Sequence, residues 1–103
     1  MLSRSVVVAE KGIVASSQPL AVSAGLHILR AGGSFIDAAI ATSAVLCVVE
    51  PWASQLGGDA FVVLYDAARR QTLALNGSGA APAAAKPERF PNGIPLRGIT
   101  AAT

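Results

Sequence analysis

The most regular pattern in the chain is a helical one over residues 20–31. Apolar side chains recur there about every four residues and share one helix face; they are Leu20, Ala24, Ile28 and Ala31. Ser16 and Ser17 precede the pattern as candidate N-caps, and Pro19 is tolerated in a first helical turn. The glycines at 32–33 suit a left-handed end. The sequence therefore predicts a helix from residue 20 to residue 31.

A second helix is predicted over residues 35–49. Its residues are apolar or small nearly all round, which is typical of a helix packed between two layers. Ser34 precedes Asp37 by three residues, the spacing of a capping box. Pro51 ends the pattern. Because the run is shorter than the roughly 20 residues that span a bilayer, no membrane contact is expected.

Short runs of apolar residues, many of them β-branched, predict strands on either side of the helices. Residues 6–9 and 12–16 are interpreted as one broken strand or a hairpin. Residues 60–65 and 72–76 are interpreted as two strands joined by a polar turn. The mixture of helices and strands indicates an α/β (α+β) fold.

The composition favours a globular domain whose surface is partly covered by other protein. Of 103 residues, 52% are hydrophobic and 14% charged, which leaves more apolar surface than so small a domain usually exposes. Beyond residue 76 the chain becomes rich in glycine and proline, without a periodic element. We therefore expect a core over residues 5–76, a loop-rich tail over residues 77–103, and partner sequence that completes the domain.

The charge distribution argues against a nucleic-acid-binding protein, and the first residues argue against a signal peptide. Eight Lys and Arg oppose six acidic residues without forming a basic stripe, and only 5% of residues are aromatic, so no nucleic-acid partner is expected. The first apolar run covers only residues 6–9 before charge returns. That is too short for the core of a signal peptide, which predicts a cytoplasmic protein.

No catalytic, metal or cofactor centre is predicted within the chain. The single histidine, His27, falls in the first predicted helix without a cysteine or carboxylate at ligand spacing. The single cysteine, Cys47, is expected to be a small buried hydrophobe. Asp37 is explained by helix capping. The segment Gln55-Leu56-Gly57-Gly58-Asp59 is interpreted as a tight structural turn in preference to a loop that presents backbone N–H groups to an anion.

Several ordered motifs resemble the γ-glutamyltransferase (γ-glutamyltranspeptidase) family, at the start of its large subunit. They are GIVASSQPLA (12–21), GLHILRAGGSFIDAA (25–39), VEP (49–51) and GGDAF (57–61). The resemblance implies an N-terminal-nucleophile hydrolase fold, an αββα sandwich that is incomplete in this chain. It also implies a precursor that cuts itself, so that the new terminal threonine of a small subunit becomes the nucleophile, with its own amine as base.

The resemblance implies partners and one substrate contact. The partners are the remainder of the large subunit, the small catalytic subunit and a small-molecule amide substrate. Members of the family bind the substrate α-carboxylate with the arginine of an Arg-Glu-x-Ala-Pro pattern. The position of this arginine corresponds to Ser78 in this chain. Relatives with Asn-Gly-Ser-Gly-Arg-Ala-Pro carry a later arginine, where this chain has Ala80. Ser78 is therefore the candidate substrate-binding residue, as a neutral hydrogen-bond donor.

Three functional interpretations remain open. The chain is expected to be an inactive piece of a γ-glutamyl amide hydrolase or acyltransferase. The missing arginine makes a divergent acylase specificity the alternative within that class. The alternative from another class is a non-catalytic binding module or degenerate remnant that retains the ancestral core.

Overall fold

The computed structural model describes residues 5–95, which form an α+β arrangement, as predicted. The elements in chain order are helix α1 (Pro19–Arg30), helix α2 (Phe35–Val49), strand β1 (Ala60–Asp66), strand β2 (Gln71–Gly77) and a 3₁₀ turn (Pro87–Arg89). The chain divides after Leu56 into two compact units, of which the first contains the helices and the second the strands. The end of the predicted tail, residues 96–103, lies outside the described residues.

Helix α1 ends as its sequence predicts, but it begins differently. Gly32 has a φ of 87°, and the N–H groups of Gly32 and Gly33 donate to the carbonyls of Leu29 (3.1 Å) and Ile28 (2.9 Å). This is a Schellman end, which satisfies two carbonyls that the helix itself leaves unpaired.

The predicted serine cap of α1 is wrong. The N-cap residue is Gln18, whose side chain makes no capping hydrogen bond, and Pro19 occupies the first helical turn. The Ser17 hydroxyl donates instead to Oε2 of Glu50, at 2.9 Å. The Ser17 hydroxyl, which the local sequence predicts as a cap of α1, is therefore hydrogen-bonded to a carboxylate at the end of α2.

Helix α2 begins with the predicted capping box. The Asp37 N–H donates to the Ser34 hydroxyl oxygen at 3.1 Å, and the Ser34 N–H donates to Oδ2 of Asp37 at 2.9 Å. The Ser34 hydroxyl also donates to this carboxylate, at 2.7 Å. These bonds lower the pKa of Asp37 from its ordinary value of 3.8, and the bond from the Ser34 side chain has the largest effect. They do so because they favour the ionised form of the carboxyl group.

Helices α1 and α2 meet through small residues. The buried positions are Ala21 and Gly25 on α1 and Ala38 and Thr42 on α2, each pair spaced by one helical turn. A Cβ atom added at Gly25 would collide with Oγ1 of Thr42 and lie 3.3 Å from the Ala38 carbonyl oxygen. The Thr42 hydroxyl donates to that same carbonyl, at 2.8 Å, so the buried polar group is satisfied.

The strands predicted at residues 6–9 and 12–16 are wrong. The described part of this segment contains no strand, because a strand needs partners for its backbone groups and the paired strands within residues 5–95 are β1 and β2. Val14 instead approaches α1, with its Cγ1 3.1 Å from a Cβ built at Gly25. Val14 therefore contacts α1 from a segment without regular secondary structure.

Helix α2 is less enclosed than its sequence predicts. Ile40 is 63% exposed and Val48 78% exposed, and Cys47 is half-buried where a small buried hydrophobe is expected. Of the elements within residues 5–95, α1 is the one that packs on α2. No helix in the described part is long and apolar enough to cross a bilayer.

Strands β1 and β2 form the predicted antiparallel hairpin, in which Ala60 pairs with Gly77 and Asp66 with Gln71. Directly opposed residues share a face. One face carries Val62, Leu64, Leu73 and Leu75, and the other carries Phe61, Val63, Tyr65 and Ala74. Apolar side chains on both faces are typical of a sheet covered on both sides.

We expect Gly25→Ala to destabilise the helical unit by about 1–3 kcal/mol, because overpacking forces two close backbones apart. Helix propensity alone predicts the opposite sign, a gain of about 1 kcal/mol. Urea unfolding followed by far-UV circular dichroism gives the free energy of unfolding. Adding Thr42→Ala should recover part of the loss, since it removes the closest atom. The control Ser23→Ala, at an exposed position of α1, should not destabilise; a Gly25→Ala chain as stable as wild type would contradict the close approach.

Removing the α2 cap should have a pH-dependent effect. Because the folded-state pKa of Asp37 is lowered, its stabilisation is present above the unfolded value of 3.8 and is lost as the pH falls through the folded pKa. Ser34→Ala should cost about 1 kcal/mol of unfolding free energy at pH 7. It should also move the Asp37 pKa, measured by NMR titration, back towards 3.8. Ser43→Ala, within α2 and exposed, is the control; an unchanged Asp37 pKa in Ser34→Ala would show that the box does not form.

Candidate functional site

The open end of the hairpin brings together the two sequence segments that carry candidate chemistry. Asp59 directly precedes β1, and Ser78 directly follows β2. The Gly79 N–H donates to Oδ1 of Asp59 at 3.2 Å, and the Ser78 N–H donates to Oδ1 of Asn76 at 3.0 Å. Ser78 is exposed, and it makes this bond with its backbone, so its hydroxyl is not the atom that holds the turn.

The local sequence explains this conformation. A Cβ atom at Gly77 would lie 2.8 Å from the Ala60 carbonyl oxygen, so the last pair of the ladder needs a glycine. The Asn76 side chain then bonds the backbone two residues on, which is the geometry of an Asx turn. The chain leaves β2 through a turn that Asn76 and Gly77 encode together.

The residues at the open end of the hairpin are uncharged except for Asp59, which is acidic. The segment from residue 76 to residue 80 contains no cation, and the Asp59 carboxylate faces its backbone. The basic residues of the hairpin, Arg69 and Arg70, lie at its closed end, where Arg69 is 3.6 Å from Asp66. Seven-residue strands separate the two ends by about 20 Å. The hairpin therefore offers a ligand at Ser78 a hydroxyl but no guanidinium.

The predicted role of Ser78 in substrate binding stays a prediction, but its neighbourhood is now defined. The chain turns at Leu56 and Gly57 and bends at Gly58, as the structural interpretation expects. Among the described residues other than its chain neighbours, no atom lies within 4 Å of a Cβ built at Gly57. What the sequence analysis missed is the contact of Asp59 with Gly79; its signal was an acidic residue placed opposite a strand exit.

The other candidate residues do not assemble a centre. His27 is exposed on α1, Cys47 is half-buried in α2, and Asp37 serves the α2 cap. Within residues 5–95, no three His, Cys, Asp or Glu side chains come close enough to hold a metal ion. The structure brings together Asp59, Asn76 and Ser78 and leaves the others apart.

Comparison with known proteins identifies relatives of the chain. Residues 21–103 match the family model described as gamma-glutamyltranspeptidase. The glutathione hydrolase proenzyme of Bacillus subtilis is 39% identical over 87 residues, which are 84% of this chain and 15% of that protein. The capsule biosynthesis protein CapD proenzyme of Bacillus anthracis is 56% identical over 45 residues, which are 44% of this chain and 8% of that protein.

Solved structures agree with the sequence relatives. Gamma-glutamyltranspeptidase from Helicobacter pylori superposes with a TM-score of 0.73 at 36% identity, over 80% of this chain and 23% of that chain. The Bacillus anthracis transpeptidase CapD gives a TM-score of 0.67 at 35% identity, over 73% of this chain and 26% of that chain. The N-terminal-nucleophile hydrolase fold is thereby confirmed for the part present here.

The chain spans only 15% of the length of the Bacillus subtilis glutathione hydrolase that it matches. The family match nevertheless covers most of the chain. Helix α2, the hairpin and all of α1 except its first two residues fall within it. The chain belongs to the gamma-glutamyltranspeptidase family, as the amino-terminal part of the large subunit.

Proposed function

We propose that the chain is part of a γ-glutamyl amide hydrolase or acyltransferase, which transfers a γ-glutamyl group from glutathione-type donors to water or amines. The family match over residues 21–103 carries this proposal. Relatives named glutathione hydrolase support the donor class. In this role the chain itself is not catalytic; the nucleophile is the terminal threonine of a small subunit, and the remainder of the large subunit is the second partner.

The surfaces of the chain support a structural role within a larger enzyme. Phe61 is 70% exposed and Val63 is 78% exposed on one face of the hairpin, and Ile40 is 63% exposed on α2. A monomer rarely leaves so many apolar side chains in water, and such patches mark contacts with other protein. The chain thus supplies helices and sheet to a layered fold that the rest of the enzyme completes.

Ser78 forms part of the substrate pocket in this proposal. Its hydroxyl is a neutral donor at the position where the family carries a carboxylate-binding arginine. A neutral hydrogen bond is weaker than a bidentate guanidinium clamp, so binding of the γ-glutamyl α-carboxylate is reduced. The same observation favours the second candidate, a divergent acylase whose substrate has no α-carboxylate at this point.

A non-catalytic binding module or degenerate remnant is the alternative from another class. The coding sequence beyond codon 103 separates it from the enzyme. A continuing frame that encodes a threonine-led small subunit supports the enzyme. A stop codon followed by unrelated sequence supports the module.

The pure 103-residue chain should not hydrolyse a γ-glutamyl anilide, because the nucleophile and its amine base lie on the small subunit. The measurement is release of the aniline chromophore, with the assembled large and small subunits as the positive control. Turnover by the chain alone, at a rate that scales with its concentration, would overturn its non-catalytic role.

An arginine placed at the site should restore carboxylate binding in the assembled enzyme. Ser78→Arg or Ala80→Arg should lower the KM for a γ-glutamyl donor by about 10- to 100-fold, the effect of one charge-assisted hydrogen bond. Ser78→Gln, which adds length without charge, should not reproduce this gain, and Ser78→Lys should reproduce it incompletely because it lacks the planar fork. An unchanged KM in both arginine variants would refute the missing clamp.

A further inference from the structure

We propose that Asp59 is a positioning residue of the substrate site, which fixes the backbone that presents residue 78. The proposal rests on the proposed function of that position and adds to it a residue from the opposite strand. Asp59 is not expected to touch substrate. It acts through the hydrogen bond that its Oδ1 accepts from the Gly79 N–H, at 3.2 Å.

The backbone around Ser78 needs such an anchor. The ladder between the strands ends at the pair Ala60 and Gly77, so residue 78 lies beyond the last ladder pair. Glycines flank it on both sides. Within residues 5–95, leaving out its own chain neighbours, no atom lies within 4 Å of a Cβ built at Gly79. Glycine backbone is conformationally permissive, so steric contacts do not determine the path of this segment.

Two side chains fix the backbone of this segment, one from a nearby position in the sequence and one from a distant position. Asn76 bonds the Ser78 N–H from two residues away, which fixes only a local turn. Asp59 bonds the Gly79 N–H across 20 residues of sequence, which fixes the segment relative to the start of β1. A carboxylate that accepts from a backbone N–H makes a charge-assisted bond, stronger than a neutral one. Asp59 is therefore the residue that sets where the side chain at position 78 begins.

The contact itself is tested by NMR on the 103-residue chain. The amide proton of Gly79 should move upfield and exchange faster with solvent in Asp59→Ala, because it loses the acceptor to which it donates at 3.2 Å. Asp59→Asn retains an acceptor oxygen and should keep the Gly79 amide in its hydrogen-bonded position. Asp66→Ala removes an equal charge at the closed end of the hairpin and should leave Gly79 unaffected. A Gly79 amide that ignores Asp59 in all variants overturns the proposal.

The role in specificity is tested by kinetics of the assembled enzyme. Asp59→Ala should raise the KM for a γ-glutamyl donor about tenfold, with kcat nearly unchanged. A tenfold change corresponds to the loss of one hydrogen bond to a charged group, here the bond from the misplaced Ser78 hydroxyl to the substrate carboxylate. Asp59→Asn should restore most of the wild-type KM, and Asp66→Ala should not raise it. The gain from Ser78→Arg should also shrink when Asp59→Ala is added, because the guanidinium then starts from an unfixed backbone.

These outcomes separate the two proposals. A wild-type enzyme without γ-glutamyl turnover overturns the proposed function, whatever Asp59 does. An active wild type whose KM does not respond to Asp59→Ala overturns only the positioning role. Equal increases in KM for Asp59→Ala and Asp66→Ala also overturn it, because they indicate a general effect of charge.

Discussion

The contact between α1 and α2 depends on the absence of side chain at one position. Gly25 lies where any Cβ would meet Oγ1 of Thr42, so the two helices are in close contact at this point. Thr42 itself is tolerated because its hydroxyl donates to the carbonyl of Ala38, one turn earlier on its own helix. Closely packed small residues contribute through van der Waals contact, which is weak for one atom pair and considerable over a seam.

The same constraint explains why so much apolar side chain remains exposed. Small residues occupy the seam, so the large apolar residues of α2, such as Ile40 and Val48, lie on its other faces. The hairpin shows a similar distribution, with apolar residues on both of its faces. A helix pair closed by its small residues and a sheet apolar on both sides are components of a layered fold. The structural likeness to gamma-glutamyltranspeptidase is consistent with this arrangement.

What the sequence predicts correctly here is encoded locally. The Ser34 and Asp37 capping box and the left-handed end at Gly32 need only neighbours within one helical turn. The failed predictions depended on distant partners. Residues 6–9 have a strand-like composition but no strand beside them among the described residues, and Ser17 bonds Glu50 across 33 positions. The same rule applies to the site, since a motif locates Ser78, whereas the bond from Asp59 to Gly79 requires the strand register.

The residues that fix the scaffold are therefore separate from the candidate substrate-binding residue. The small residues of the helix seam and the glycine at the last ladder pair, Gly77, are required by backbone contacts, and they hold the family's arrangement whatever the substrate is. Position 78 lies just beyond that ladder, is exposed, and makes no contact on which the helices or strands depend. The Ser78 side chain takes no part in the turn, because Asn76 and Asp59 hold the turn through backbone N–H groups. Family membership follows from the scaffold, whereas the proposal about the substrate rests on residues 78–80 and the atoms that position them.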